Sequence, residues 1–244
     1  MKIAILSDIH GNLEALESVL IEVLKRKVDK IICLGDLINY GPNPNEVIEI
    51  AKKEFDIIVM GNHDYVVIDE NIIKNFSPVA RSSMIWTLSI LEEENKIFLS
   101  SLKLEESFKD IYIVHACPKY PLDWTYILNV NDARIYFQYV DNFITLIGHT
   151  HIPAIYKNKF SYIEQIIPNP FEKYQLDENY QYMLNPGSVG QPRDGDYRAS
   201  FAIFDLNNFT FEIIRVDYDV QKTKRKILES DLPQILAYRL ENGS

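Results

Sequence analysis

Four of the five histidines of this 244-residue chain fall in short clusters with acids, amides or glycine. His10 stands two positions after Asp8, His63 lies between Asn62 and Asp64, and His115 ends an apolar run. His149 and His151 share the tetrapeptide Gly148-His149-Thr150-His151, and Asp36 follows Gly35 at the end of another apolar run. Imidazole nitrogen, carboxylate oxygen and amide oxygen are the donors of a catalytic transition-metal site, not of a thiolate-rich structural one. Asp8, His10, Asp36, Asn62, His115, His149 and His151 offer seven donors, too many for one tetrahedral ion. They suit two ions that share Asp36, whose two oxygens can each bind one. Paired metals about 3.5–4 Å apart stabilise both the attacking and the leaving oxygen of an in-line phosphoryl displacement. A lone histidine at a strand end is more often a hydrogen-bonded structural residue, so the weight rests on the set. The clusters span more than half the chain, and the fold must gather them.

The predicted elements are arranged to do so. An apolar run over 2–7 reads as a buried strand, followed by a helix capped by Asn12 with Leu13, Leu16, Leu20 and Leu24 on one face. A second strand, 30–34, ends at Gly35-Asp36, and a third, 56–60, ends at Gly61-Asn62. Between them Asn43 can cap a helix with Pro44 in its first turn. Helices are expected near 78–94 and 132–140, and strands at 110–115 and 144–147, each of the latter again ending near a histidine. Open α/β sheets bind ligands beyond the carboxyl ends of their strands, where these clusters lie. If the segment after 147 stays extended, His149 and His151 point to one side and reach neighbouring ions. From Ile152 the alternating runs 154–156, 182–184, 199–205 and 209–217 read as a second, largely antiparallel sheet. Residues 220–240 read as one or two helices broken at Pro233, a helical tail over about 219–244. No repeat or linker divides the chain, so 1–244 reads as one domain.

The ordered set Asp8-Ile9-His10, Gly35-Asp36, Gly61-Asn62-His63-Asp64, His115 and Gly148-His149-Thr150-His151 resembles the calcineurin-like metallophosphoesterase superfamily. The resemblance runs from residue 1 to about 217, and Asn185 to Arg193 (NPGSVGQPR) is similar to its small bacterial and archaeal phosphoesterase branch. It implies an α/β fold, a four-layer α/β/β/α sandwich with two mixed sheets. One metal would take Asp8, His10, Asp36 and His151, and the other Asp36, Asn62, His115 and His149. It further implies a bridging hydroxide as nucleophile and His63 as proton donor to the leaving oxygen, with Asp64 beside it in the catalytic group as a support rather than a ligand. Protein phosphatases and dinucleoside-tetraphosphate hydrolases of the superfamily carry GDxxDRG. Here Asn39 stands at its aspartate and Tyr40 at its arginine. An amide supports an imidazolium less well than a carboxylate does. The missing arginine removes a phosphate clamp, which costs a monoester dianion more than a diester. Arg193 remains as a phosphate contact, Arg198 is a weaker second choice, and Asn39 and Tyr40 are placed to line the substrate pocket. Cys117 after Ala116 departs from the branch's usual glycine and serine.

Bulk properties narrow the partners. A net charge of −10 opposes binding along a polyanion, and the basic run 222–226 reads as a solvated helix face. Two cysteines make no disulfide framework, which suits a reducing cytoplasm. The first residues reach a charge too soon for a signal peptide, and no run approaches a membrane span. The expected activity is that of a di-metal phosphodiesterase on a small, nucleotide-like substrate, with manganese first among Mn, Ni, Fe, Co and Zn. A phosphomonoesterase or protein phosphatase, a nuclease, and a non-catalytic scaffold of the same fold are the alternatives. Homo-oligomerisation by self-pairing of strands or helices is compatible with all of them.

Overall fold

The computed structural model describes residues 1–160 and 162–244. Three parallel strands open the chain: β1 (Lys2–Leu6), β2 (Lys30–Cys33) and β3 (Ile57–Ile58). Helix α1 (Leu13–Arg26) connects the first two, and α2 (Pro44–Glu54) the next. Asn12 caps α1 by accepting the Ala15 N–H at 3.2 Å, and Pro44 begins α2, where its missing N–H costs nothing. The Asn43 side chain instead donates to Glu46. The expected helix near 78–94 is two, α3 (Pro78–Ile90) and α4 (Glu93–Ser100).

The remaining strands are β4 (Glu105–Phe108), β5 (Ile111–Val114), β6 (Ile144–Leu146), β7 (Ala154–Lys159), β8 (Tyr162–Ile166), β9 (Lys173–Gln175), β10 (Gln181–Asn185), β11 (Ala199–Asp205) and β12 (Thr210–Val216). One sheet runs in the order β3-β2-β1-β11-β12-β9 and the other β4-β5-β6-β10-β7-β8. Both are mixed. The second half of the chain therefore does not form a sheet of its own, as the change of texture at Ile152 had suggested. β11 pairs antiparallel with β1, so β11, β12 and β9 complete the first sheet, while β10 pairs parallel with β6. Alternation specifies which face of a strand is buried, not which strand lies beside it.

The layers follow from the two-residue period. In β1, Ile3 and Ile5 face the core between the sheets, with Ile113, Leu146 and Leu184 of the other sheet, while Ala4 and Leu6 face Leu16, Val19 and Val47 of α1 and α2. On the far side, Met183 and Tyr156 meet Ala133 and Tyr136 of α5 (Val130–Tyr136). This is the α/β/β/α sandwich, its last layer thin. The tail forms α6 (Val220–Leu228) and α7 (Ile235–Asn242), and Leu236, Ala237 and Leu240 of α7 pack in one cluster with Tyr40 and Ala80. The basic run pairs internally: Lys222 and Lys226 approach the buried Glu14 at 3.1 and 2.6 Å, and Lys224 approaches Glu241 at 2.7 Å. No helix of the described residues is long and apolar enough to cross a membrane.

Candidate metal centre

The histidine and carboxylate clusters meet at the carboxyl ends of β1, β2, β5 and β6. Three groups bring their donor atoms within 4.8 Å of one another: Asp8, His10 and His151; His10, Asp36 and His63; and Asp36, His115 and His149. The backbone reaches this arrangement through conformations that side chains rarely adopt. Asp8, His10, Asp36, His149 and His151 all have φ between 49° and 65°, and Tyr40 at 63° and Asn39 at 75° are left-handed too. Left-handed backbone at non-glycine residues costs of order 1–3 kcal/mol each and persists where the surroundings enforce it. It also overturns the extended reading of 148–151. β6 stops at Leu146, and the twisted turn sends His151 to Asp8 and His149 to His115.

The enforcing contacts are visible. Val189 and Gly190 donate backbone N–H groups to Ser7 and Asp8 carbonyls at 2.9 and 3.0 Å, and Ser188 Oγ donates to Asp8 O at 2.8 Å. The Asn185–Arg193 motif thus clamps the Asp8–His10 turn. A Cβ at Gly61 would collide with the Asp36 carboxylate and backbone nitrogen, so only glycine lets these two loops close. Asp64 ties them. It accepts N–H bonds from Asp36, Leu37 and Gly61 at 2.7, 2.9 and 3.1 Å and is wholly buried. Grouped with His63 in the sequence reading, it lies beneath the loops and has no face to the cleft. Burial, then the Asp36 charge, pushes its pKa up to about 7, against the lowering pull of the N–H donors.

Each imidazole is held by its outer nitrogen. His10 Nδ1 donates to Ile38 O (2.9 Å), His115 Nδ1 to Leu34 O (2.7 Å), His151 Nδ1 to Gln191 O (2.6 Å) and His149 Nε2 to Trp124 O (3.0 Å). Carbonyls can only accept, so these bonds put a hydrogen on each outer nitrogen and leave the inner one of a neutral ring as a lone pair. Yet His10 Nε2 lies 3.2 Å from His151 Nε2, and His115 Nε2 lies 3.2 Å from His149 Nδ1. Facing lone pairs repel unless a proton or a cation stands between them. Ligands bound at about 2.1 Å and separated by 90–109° lie about 3.0–3.4 Å apart, which is the spacing seen.

The oxygens agree. Asp8 Oδ2 accepts from Ser7 Oγ and His149 N, while Oδ1 has no partner and lies 3.2 Å from His151 Nε2. Asp36 Oδ1 accepts the His63 N–H, while Oδ2 has no partner and lies 3.3 Å from His115 and 3.7 Å from His10. Asn62 Oδ1 is likewise buried and unpartnered. Buried polar atoms are nearly always satisfied, so three orphaned oxygens among these imidazoles fit a cation-binding centre. Titration fits too. Burial pushes His10 and His151 down and His149 to about 3, keeping lone pairs free. His115 is the exception. Burial opposes its charge, but Asp36 raises it to about 9, so without a cation a proton sits between them. Burial works to raise Asp8 and Asp36, yet the adjoining His151 and His115 respectively hold them below the carboxylate range.

Beside the centre opens a cleft of about 740 Å3 whose walls include Tyr40, His63, Tyr65, Trp124, Tyr126 and Arg193. Asn39 sits under it, fully buried. Its Oδ1 accepts the Tyr40 N–H at 2.9 Å, and its Nδ2 donates to Ala80 O at 3.3 Å and to His63 Nδ1 at 2.7 Å. Those backbone groups orient the amide, so His63 Nδ1 must accept and the ring hydrogen sits on Nε2, 3.9 Å from Asp36 Oδ2. Arg193 stands over the Tyr40 ring at 5.9 Å. Arg198, by contrast, is spent on Asp196 at 2.7 Å. Cys117 is buried with its thiol on Tyr120 O, away from the cleft. Sequence reasoning missed the four carbonyl anchors and Arg239, which reaches the cleft from α7. Backbone carbonyls carry no residue signature, and a tail arginine has none until the tail is placed.

Comparison with known proteins places the chain. Residues 1–208 match the model of the calcineurin-like phosphoesterase superfamily domain, and the chain belongs to that family, which makes it a phosphoric ester hydrolase. It is similar to protein MJ0912 of Methanocaldococcus jannaschii, 41% identical over 99% of this chain and 98% of that one. It is similar also to phosphodiesterase YfcE of Escherichia coli, 27% identical over 84% of this chain and 88% of that one. Among solved structures, a metallophosphoesterase from Sphaerobacter thermophilus superposes with a TM-score of 0.87 at 38% identity, covering 100% of this chain and 99% of that one.

Proposed function

We propose that the protein is a two-metal phosphodiesterase acting on a small, nucleotide-like phosphodiester. The observation that carries the reading is the two pairs of facing imidazole nitrogens, each 3.2 Å apart, that converge with orphaned Asp8 and Asp36 oxygens on the floor of an open cleft. Asp8, His10, Asp36 and His151 would hold one divalent cation, and Asp36, Asn62, His115 and His149 the other, manganese being the first choice. Bound there, the cations would supply Lewis acidity to the phosphoryl group and lower the pKa of a water toward neutrality.

The chain's own groups do the rest. His63 presents Nε2–H to the leaving oxygen. Burial depresses its pKa to about 4, so near neutrality it acts chiefly as a neutral hydrogen-bond donor and gives up a proton only through a minor imidazolium fraction. That suits leaving groups that need little protonation. Arg193, on the Tyr40 ring, contacts a phosphoryl oxygen from the cleft side, and Asn39 orients His63. Trp124, Tyr65 and Tyr126 offer flat faces to a base or other ring. Diester over monoester follows from Tyr40, which occupies the place of an arginine clamp. The YfcE similarity supports the same preference.

The test is purified protein loaded in turn with Mn2+, Ni2+, Co2+, Fe2+ and Zn2+, assayed on bis-(p-nitrophenyl) phosphate and p-nitrophenyl phosphate. The diester should have the higher kcat/KM. Inactivity with every metal shown to be bound sinks the catalytic reading, and a higher kcat/KM for the monoester sinks the diester preference.

A further inference from the structure

The cleft holds a second arginine that no role above has used. Arg193 and Arg239 both line it, and no Asp or Glu among the described residues pairs with either. Arg193 Nη2 donates to Gln191 Oε1 at 2.9 Å, and its Nε is buried without a partner. Arg239 Nε donates to the main-chain oxygen of Ser244 at 2.6 Å, and its terminal nitrogens have no acceptor among the described residues. Burial and then the Arg193 charge push the Arg239 pKa down, while Tyr40 opposes.

The Arg193 backbone N–H bonds to His151 O at 3.3 Å, so Arg193 borders the metal centre. Arg239 comes from α7, whose Leu236, Ala237 and Leu240 pack in the Tyr40 cluster. The carboxylates that share the cleft, Asp69 and Asp123, lie on other segments, and neither is within ion-pair distance of either arginine; Asp69 is taken up by Asn71. In an acidic protein, two guanidiniums that line one cleft with no Asp or Glu paired to either form a site for an anion.

We propose that Arg239 recognises a second anionic group of the substrate, a phosphate that is not cleaved, while the scissile phosphodiester lies between Arg193 and the metal centre. The substrate class is then a small nucleotide-like phosphodiester that bears a further phosphate, and Arg239 is a specificity-determining residue. This rests on the phosphodiesterase reading.

The test compares thymidine 5′-(p-nitrophenyl phosphate) with its 3′-phosphorylated form, using Mn2+-loaded wild type, Arg239→Gln and Arg239→Lys, all checked for an unchanged thermal melt. In the wild type the extra phosphate should raise kcat/KM about tenfold, the size of a charge-assisted hydrogen bond. Arg239→Gln should bring that ratio close to one, chiefly through KM, and Arg239→Lys should keep part of it. Calorimetry with thymidine 3′,5′-bisphosphate should show the same ranking without turnover. A wild-type ratio near one, or a ratio that survives Arg239→Gln, overturns the proposal. So does a larger effect of Arg239→Gln on p-nitrophenyl phosphate than on the phosphorylated diester, which would assign the pair to a monoester dianion. Bisphosphate binding that depends on Arg239, in a protein that cleaves no diester, would instead overturn the phosphodiesterase reading and leave the anion site standing.

Discussion

Replacing Asn39 by Asp reverses the polarity of one hydrogen bond and should change which leaving groups the enzyme tolerates. Asn39 Nδ2 now donates to His63 Nδ1 at 2.7 Å, a contact an imidazolium cannot make, because its Nδ1 already carries hydrogen. Burial, opposed by Asp36 and reinforced by Arg193, sets the His63 pKa at about 4. A carboxylate in the same place would accept Nδ1–H. Unit charges about 4 Å apart attract by about 4 kcal/mol at an effective dielectric constant of 20. Part of this is lost, since the new carboxylate is buried and the Ala80 carbonyl, 3.3 Å from Nδ2, would then face an acceptor. The remainder is about 2 pKa units, within the range for an opposite charge at contact and equivalent to about 2.7 kcal/mol. The imidazolium fraction at pH 7 then rises from about one in a thousand to about one in ten. Cations common to both proteins do not alter the difference between them. The assay is kcat/KM at pH 7 over phosphodiesters of graded leaving-group pKa, from nitrophenols to simple alcohols. The wild type should fall steeply along the series, and Asn39→Asp should recover up to about 100-fold at the alcohol end relative to the nitrophenol end. An unchanged slope and pH profile, with metal content equal to wild type, would refute the assignment of Asn39 as the residue that controls His63.

Two further outcomes follow from the same geometry. Asp36→Asn should abolish tight binding at both metal positions and lower turnover by at least about a thousandfold, because the buried oxygen shared by the two donor groups loses its charge; elemental analysis showing two bound metals per chain would contradict this. In the metal-free protein His115 is raised from 6.5 to about 9 by Asp36, against its burial. A raised folded-state pKa stabilises fully below the unfolded value and is lost as pH climbs through the folded one. Metal-free protein should therefore lose on the order of 3 kcal/mol between about pH 6.5 and 9, while metal affinity rises over the same window as the His115 proton becomes easier to displace. Chelator-treated protein melted across that range checks the first, and calorimetric proton release on adding Mn2+ checks the second.

What the residue order alone determined is chemical. Donor types and their placement after apolar runs specify a mixed nitrogen and oxygen metal centre at strand ends, because a run of Val, Ile and Leu forms a buried strand whose exit carries the next polar residue. The departure at Asn39 and Tyr40 was likewise legible, as a change of residue type at a known spacing. Tertiary structure decided the rest. Sheet membership of β11 and β10 was invisible, since period-two burial names a face and not a neighbour. The direction of His149 and His151 was misread, because their positive φ is imposed by loops distant in sequence and not by local propensity. The tautomers of His10, His115, His149 and His151 rest on carbonyls at Ile38, Leu34, Trp124 and Gln191, which any residue could supply. Arg239 became part of the cleft only when α7 docked on Tyr40. Side-chain chemistry is written in the sequence; hydrogen-bond polarity belongs to the backbone, and only the fold aims it.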